Sequence, residues 1–328
     1  MSATALPSTG LEAGRWEPCS DRSADRADPL AGTAGFGERW LLVEIDGSWG
    51  RHAFLESRLD PTVGRALVRR AEAAGIRPVA IRRPGRRADE RRATTGWRWA
   101  VADVRPGREG VRWGFAAEAE DLLTVPLDPV PRDAAEADAV DRERSEASSA
   151  PIYLVCAHAR HDQCCAVKGR PVVTSLAAAY PEETWECSHL GGDRFAATML
   201  LLPQGLSYGR VTAGAVFDIV GAASRGLVLP ALYRGRTALT MPVQAAQAFA
   251  RAAFGDDGID AWPPLGENRQ EAPAGTLVHV RLGASGGQPQ VTVTMRETLS
   301  DPLLSTCTAT IAAPVRQFAL VAIEPRRR

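Results

Sequence analysis

Apolar runs and amphipathic stretches alternate along most of the chain. WLLVEI at 40–45 predicts a buried strand. Asp60 and Pro61 supply an N-cap and a first-turn signal for a helix through TVGRALVRRAEAAG, ending at Gly75. RPVAIRR then resumes as a strand, and GWRWAVADV and VRWGFA add two more. This first region is α/β around a sheet, spanning 36–130. The residues before it mix Ser, Asp, Arg, Gly and Pro without period and read as irregular. A polar stretch at 131–150, almost free of large apolar residues, predicts a domain boundary.

Beyond it, PIYLVC predicts a short strand ending at Cys156, followed by a loop carrying Cys164 and Cys165. Pro171 signals the first turn of a helix with Val172, Val173, Leu176, Ala177 and Tyr180 on one face. ETWECSH is the next strand. AATMLLLPQGLSYGRV reads as a hairpin turning at 203–205, and TAGAVFDIVGAASRG as a helix capped by Thr212. Strand, helix, strand, hairpin, helix over 151–235 is compatible with a thioredoxin-like arrangement. Over 236–328, MPVQAAQAFARAAFG predicts a helix, and TLVHVRL, QVTVTMRE and FALVAIEP predict strands, a small α+β extension. No internal repeat of fixed period emerges.

Lys plus Arg equals Asp plus Glu at 39 each, which gives the whole molecule no electrostatic reason to bind nucleic acid or an anionic membrane. RRPGRRADERR, the densest basic run, holds Asp89 and Glu90 and no interleaved aromatics, and reads as a solvated loop. The first residues lack the basic start and apolar run of a secretory signal, and no segment approaches a membrane span, so a cytoplasmic location is expected.

Chemistry concentrates in CAHARHDQCC, Cys156 to Cys165, and in WECSHLGGDRF, which carries Cys187 and His189. In a reducing compartment such a gathering points to a metal, an iron–sulfur cluster or a redox thiol rather than to structural disulfides. Cys187 and His189 are two apart on an expected strand and therefore share a face. Gly191 and Gly192 let the backbone turn closely past the site. The spacing matches neither ferredoxin signature nor the close pairs of common zinc sites, so cluster, zinc, thiol centre and buried cysteines all remain open. His158 and His161 read as exposed loop histidines or as partners of a ligand, and Arg194 as solvated or as offsetting cluster charge. Cys19 and Cys307 stand alone in sequence, and His279 falls on the polar face of a strand. GxSxG, P-loop, HExxH and dinucleotide fingerprints are absent.

CAHARHDQCCAVKGRPV, WECSHLGGDRFAATMLLLPQGLSYGRV and PLAGTAGFGERWLLVEIDGSWG together resemble the sucrase/ferredoxin-like family, over most of 19–225. The resemblance implies tandem thioredoxin-like domains, the first cluster-free, the second holding a [2Fe–2S] cluster by two cysteines and by histidines of an HxGGH segment. It implies electron transfer or redox sensing with unidentified donor and acceptor proteins; a thiol redox module, metal-free or zinc-bound, and a hydrolase are the alternatives. Cys156 and Cys165 match the cysteine pair and His189 the first histidine. Asp193 stands where the second histidine is expected, a hard oxygen ligand for iron. Cys187 is preferred as fourth ligand on softness and on sharing a face with His189, with Asp193 the alternative. Cys164 is the alternative to Cys165.

Overall fold

A computed structural model of the chain describes residues 17–85, 96–130, 145–148, 150–273 and 275–325. The fold is mixed α/β. A ten-stranded sheet is flanked by helices, and a separate four-stranded sheet follows it.

The chain enters with a short helix, α1 (Cys19–Asp25), in the stretch expected to be irregular. Strand β1 (Arg39–Glu44), helix α2 (Pro61–Ala73) and strand β2 (Arg77–Arg82) form a right-to-expectation strand–helix–strand unit. Asp60 caps α2, its carboxylate accepting from the Thr62 and Val63 amides, and Val63, Gly64, Leu67 and Ala71 form its buried stripe. Strands β3 (Trp97–Asp103) and β4 (Gly110–Ala116) complete a half in which β1 and β2 are parallel and β3 and β4 antiparallel, in the order β2-β1-β3-β4. Strand β5 (Ser145–Ser148) pairs with β4 at the sheet edge, inside the polar stretch; 131–144 lie outside the described residues.

Strand β6 (Ile152–Cys156), helix α3 (Gln163–Ala179), β7 (Thr184–Cys187), β8 (Met199–Leu202) and β9 (Leu206–Tyr208) repeat that order as β7-β6-β8-β9, with β6 and β7 parallel. Helix α4 (Val216–Ser224) follows, and β10 (Tyr233–Arg236) extends the sheet beyond β9. Thus the topology repeats although the residues do not. The two halves join edge to edge through β2 and β7, antiparallel, with Ile81 opposite Cys187 and Arg82 opposite Glu186.

Helix α3 begins eight residues before Pro171. Asp162 accepts a hydrogen bond from the Cys164 amide at 3.0 Å and caps it there, so Cys164 and Cys165 sit in its first turn and not in a loop. Gly169 lets α3 pass against the end of β6: a Cβ there would run into the Cys156 carbonyl.

One face of the sheet carries a single apolar core across the junction, with Trp40, Leu42, Val79 and Ile81 from one half and Leu154, Cys156, Trp185 and Cys187 from the other. The opposite face splits into two cores, one under α2 and one under α3 and α4. Helix α5 (Met241–Phe254), capped by Thr240, packs on the second sheet of β11 (Pro264–Gln270), β12 (Leu277–Leu282), β13 (Val291–Leu299) and β14 (Arg316–Pro325). His279 there hydrogen-bonds Thr294 on the neighbouring strand.

The basic run does not behave as a wholly solvated loop. Arg82 is buried and its guanidinium lies 2.7 Å from Glu186, donates to the Gly47 carbonyl and stacks over Trp49. Arg83 stacks 3.7 Å over Trp185. Residues 86–92 of the run, with Asp89 and Glu90, lie outside the described residues.

Removing one partner of a buried ion pair leaves the other charge uncompensated, whereas replacing both with apolar groups is close to neutral. Glu186→Ala should therefore lower the unfolding free energy by about 3–5 kcal/mol. The double change Arg82→Met with Glu186→Leu should recover most of the loss. Urea unfolding of the three proteins checks both statements; a Glu186→Ala variant as stable as the parent would mean that this pair does not secure the junction.

Candidate metal centre

Cys156 and Cys187 close two neighbouring parallel strands and are register partners, which puts both thiols at the carboxyl ends of the strands, where open α/β sheets carry their sites. Both are buried. Strand β7 stops at Cys187. The Ser188 amide donates to Ala80 of the neighbouring half, and its hydroxyl accepts from the Ala80 amide. His189 consequently lies beyond the strand, and does not alternate with Cys187 on one face as the sequence suggested. The chain then turns through Gly191 and Gly192, both at positive φ (92° and 84°), and delivers Asp193 back toward α3.

Arg234, on β10, holds this turn. Its buried guanidinium donates to the Gly191 carbonyl at 2.8 Å and to Thr33. Burial, reinforced by the Arg194 and Arg77 charges and only partly opposed by Asp193, pushes its pKa down to about 9.

The residues so placed form a chain of contacts. The Cys165 thiol beside Cys156 holds the Cys156 pKa down, while Cys165 itself is pushed well up by its thiol neighbours and by burial. Cys165 Sγ lies 3.3 Å from Asp193 Oδ1. His189 Nδ1 lies 2.9 Å from that same oxygen, yet it is a buried atom without an aligned hydrogen bond. Burial pulls the His189 pKa down, but the Asp193 carboxylate outweighs it and the net shift is upward. His161 Nε2 is 3.6 Å from Asp193 Oδ2, and its ring lies 3.9 Å from that of His189. His161, His189 and Asp193 place their ligand atoms within 4.8 Å of one another.

Cys187 joins no such group among the described residues; burial pushes its thiol pKa well up. Asp193, and not Cys187, is the residue that lies against His189. Cys164 points the other way from Cys165. Its thiol meets Cys19 at 3.4 Å and the Asp193 carbonyl at 3.4 Å, and it forms a second group with Cys19, Asp162 and Cys307. Sequence reasoning missed Asp162, whose Asp-x-Cys spacing is an N-cap signal, and it missed the meeting of Cys19 with Cys307, which no local signal announces.

Imidazoles separate the buried thiols from solvent. A cleft of about 530 Å³ is lined by His158, His161 and His189 on one side and by Arg51, Arg65 and Arg69 on the other. His158 is not an exposed loop residue: it is buried, its Nε2 lies 2.7 Å from the Gly50 carbonyl, and burial pushes its pKa down to about 4. Arg194 is neither solvated nor aimed at the thiols. It stacks over Phe195 and lies 3.8 Å from Asp28.

Arg234→Met should leave the Gly191 and Thr33 carbonyls unpaired, lowering stability by roughly 1–3 kcal/mol, and should weaken metal uptake at His189 and Asp193. Arg234→Lys should not restore it, since a single ammonium cannot span both carbonyls. Urea unfolding and metal titration of both variants make the comparison.

Among the described residues, no helix is long and apolar enough to cross a membrane. Neither the curated proteins nor the solved structures contain a match to the chain. The sequence profile of the sucrase/ferredoxin-like family matches residues 30–235, more than half of the chain and the whole of the stretch from β1 to the centre, and the chain belongs to that family.

Proposed function

We propose that the chain is a cytoplasmic redox protein of two thioredoxin-like units, 36–130 and 151–235, followed by the extension 236–328, and that the second unit binds a [2Fe–2S] cluster. Cys156 and Cys165 hold one iron; His189 and Asp193 hold the other. When bound, such a cluster supplies one-electron transfer.

The observation that carries this reading is the convergence, from three separate elements, of three residues that match the family motif with Asp193, which stands where the motif has its second histidine. The Cys165 thiol neighbours that of Cys156, and Asp193 touches both Cys165 and His189, its Oδ1 3.3 Å from the thiol and 2.9 Å from the ring nitrogen. Two ligand pairs, a thiol pair and a nitrogen–oxygen pair, suit a two-iron unit with mixed ligation better than a single tetrahedron. The soft thiols are dry, and the imidazoles form the wall facing the cleft. Electrons would thus leave by the histidine edge.

Donor and acceptor would dock across that cleft. Arg51, Arg65 and Arg69 line it with Glu72 as the one acidic residue, a local positive field that the neutral total charge conceals. The cluster-free first half therefore serves as the docking surface, through α2.

A second reading is favoured by the trio His161, His189 and Asp193. A zinc ion on two imidazoles and a carboxylate, with an open position toward a cleft, is an arrangement used for hydrolysis. Iron and acid-labile sulfide analysis of protein purified without air separates the two. Iron with sulfide is expected; zinc at this trio with no sulfide would establish the second reading.

On ligands, Cys156→Ser and Cys165→Ser should abolish the visible chromophore, Cys164→Ser should retain it, and Asp193→Ala should cost more of it than Cys187→Ala. Asp193→His replaces an anionic oxygen with a neutral imidazole and should raise the midpoint potential by roughly 100 mV, read by redox titration. On docking, Arg65→Glu with Arg69→Glu should slow oxidation by ferricyanide several-fold and flatten its dependence on ionic strength, while a cationic oxidant is not slowed. Equal slowing of both oxidants would remove the charge argument.

A further inference from the structure

Cys19 precedes the stretch matched by the family and Cys307 follows it, yet the fold brings them together. Cys19 stands at the start of α1, and Cys307 in the loop between β13 and β14 of the second sheet. Cys164, in the first turn of α3, lies between them, and Asp162 caps that helix. Cys19 Sγ is 3.4 Å from Cys164 Sγ, 3.6 Å from Cys307 Sγ and 3.7 Å from Asp162 Oδ2. All four ligand atoms lie within 4.8 Å of one another.

These separations are informative. Zinc bound tetrahedrally at about 2.3 Å from sulfur needs ligand-to-ligand edges of roughly 3.8 Å. A disulfide needs about 2.05 Å between its sulfurs. The thiols are therefore spaced as the corners of a tetrahedron rather than as a bond about to form.

The surroundings agree. Asp162 accepts from the Cys164 amide with Oδ1 at 3.0 Å and from the Cys307 amide with Oδ2 at 2.8 Å, which fixes the carboxylate and leaves each oxygen a further lone pair. Cys19, Asp162 and Cys164 are buried and Cys307 is half-buried, which leaves an entry path on its side.

We propose that Cys19, Asp162, Cys164 and Cys307 form a structural zinc site that clasps the N-terminal helix and the second sheet to the start of α3. The site is closed, with four protein ligands and no position for substrate. It adjoins the redox centre assigned above, through the 3.4 Å contact of Cys164 with the Asp193 carbonyl, but shares no ligand with it and does not depend on that assignment.

The test uses the full chain, purified reduced and without chelator. One zinc per chain is expected by elemental analysis. Cobalt(II) added to zinc-depleted protein should give thiolate-to-cobalt charge-transfer absorption. Cys307→Ser, at the half-buried and most tolerant corner, should lose the zinc and weaken that absorption while keeping iron, sulfide and the visible chromophore. Chelator should lower the melting temperature of the parent but not of Cys307→Ser. Cys156→Ser should do the reverse, losing iron and keeping this zinc, so the two assignments fail independently. A reduced full chain that binds neither zinc nor cobalt, or a Cys307→Ser variant that keeps its zinc and its cobalt absorption unchanged, would overturn the proposal. So would loss of iron rather than zinc in Cys307→Ser.

Discussion

The antiparallel pairing of β2 with β7 turns two half-sheets into one, and the meeting of the candidate centre with its cleft follows from it. Only Ile81–Cys187 and Arg82–Glu186 are in register there, extended by the Ala80–Ser188 bonds. So short a contact is held by chemistry more than by length. The Arg82–Glu186 pair is buried between the halves, where a mismatch would leave two uncompensated charges, and that penalty specifies the register. Once set, it places Cys187 opposite Ile81, ends β7, and sends His189 toward the cleft formed by the first half.

The centre is accordingly shared. Its thiols belong to the second half, in the dry face of the sheet, while the cleft beyond its imidazoles is walled by α2 of the first. Asp193 links the two environments, touching a buried thiol on one side and two imidazoles on the other. A carboxylate here adds negative charge where the family resemblance implies a neutral imidazole, and within the proposed assignment that difference tunes the potential without changing the scaffold.

Strands β1 to β4, β6 to β8 and β12 to β14 were legible because each is an apolar or alternating run, and α2 because Asp60–Pro61 is an unambiguous start. The start of α3 was not, because Pro171 looks like a first-turn residue while the Asp162 cap nine residues earlier decides. Helix α1 has seven residues and no side-chain cap, too little for any periodicity. A repeat of two units was implied by the family resemblance alone, since the strand order lives in pairings and not in residues. Cys156, Cys165 and His189 could be singled out by type and spacing, and Asp193 only through the family resemblance, which expects a histidine at its position. Which of Cys187 and Asp193 accompanies His189 depended on where β7 ends, and the meeting of Cys19 with Cys307 depended on the whole tertiary fold.

Iron K-edge X-ray absorption on the anaerobically purified full chain addresses the central claim most directly. Mixed ligation by Cys156, Cys165, His189 and Asp193 predicts a first shell of sulfur with a nitrogen or oxygen component, together with an iron–iron vector, and the light-atom component should change in Asp193→His but not in Cys187→Ala. An all-sulfur shell, or a shell altered by Cys187→Ala and untouched by Asp193→His, would contradict the account.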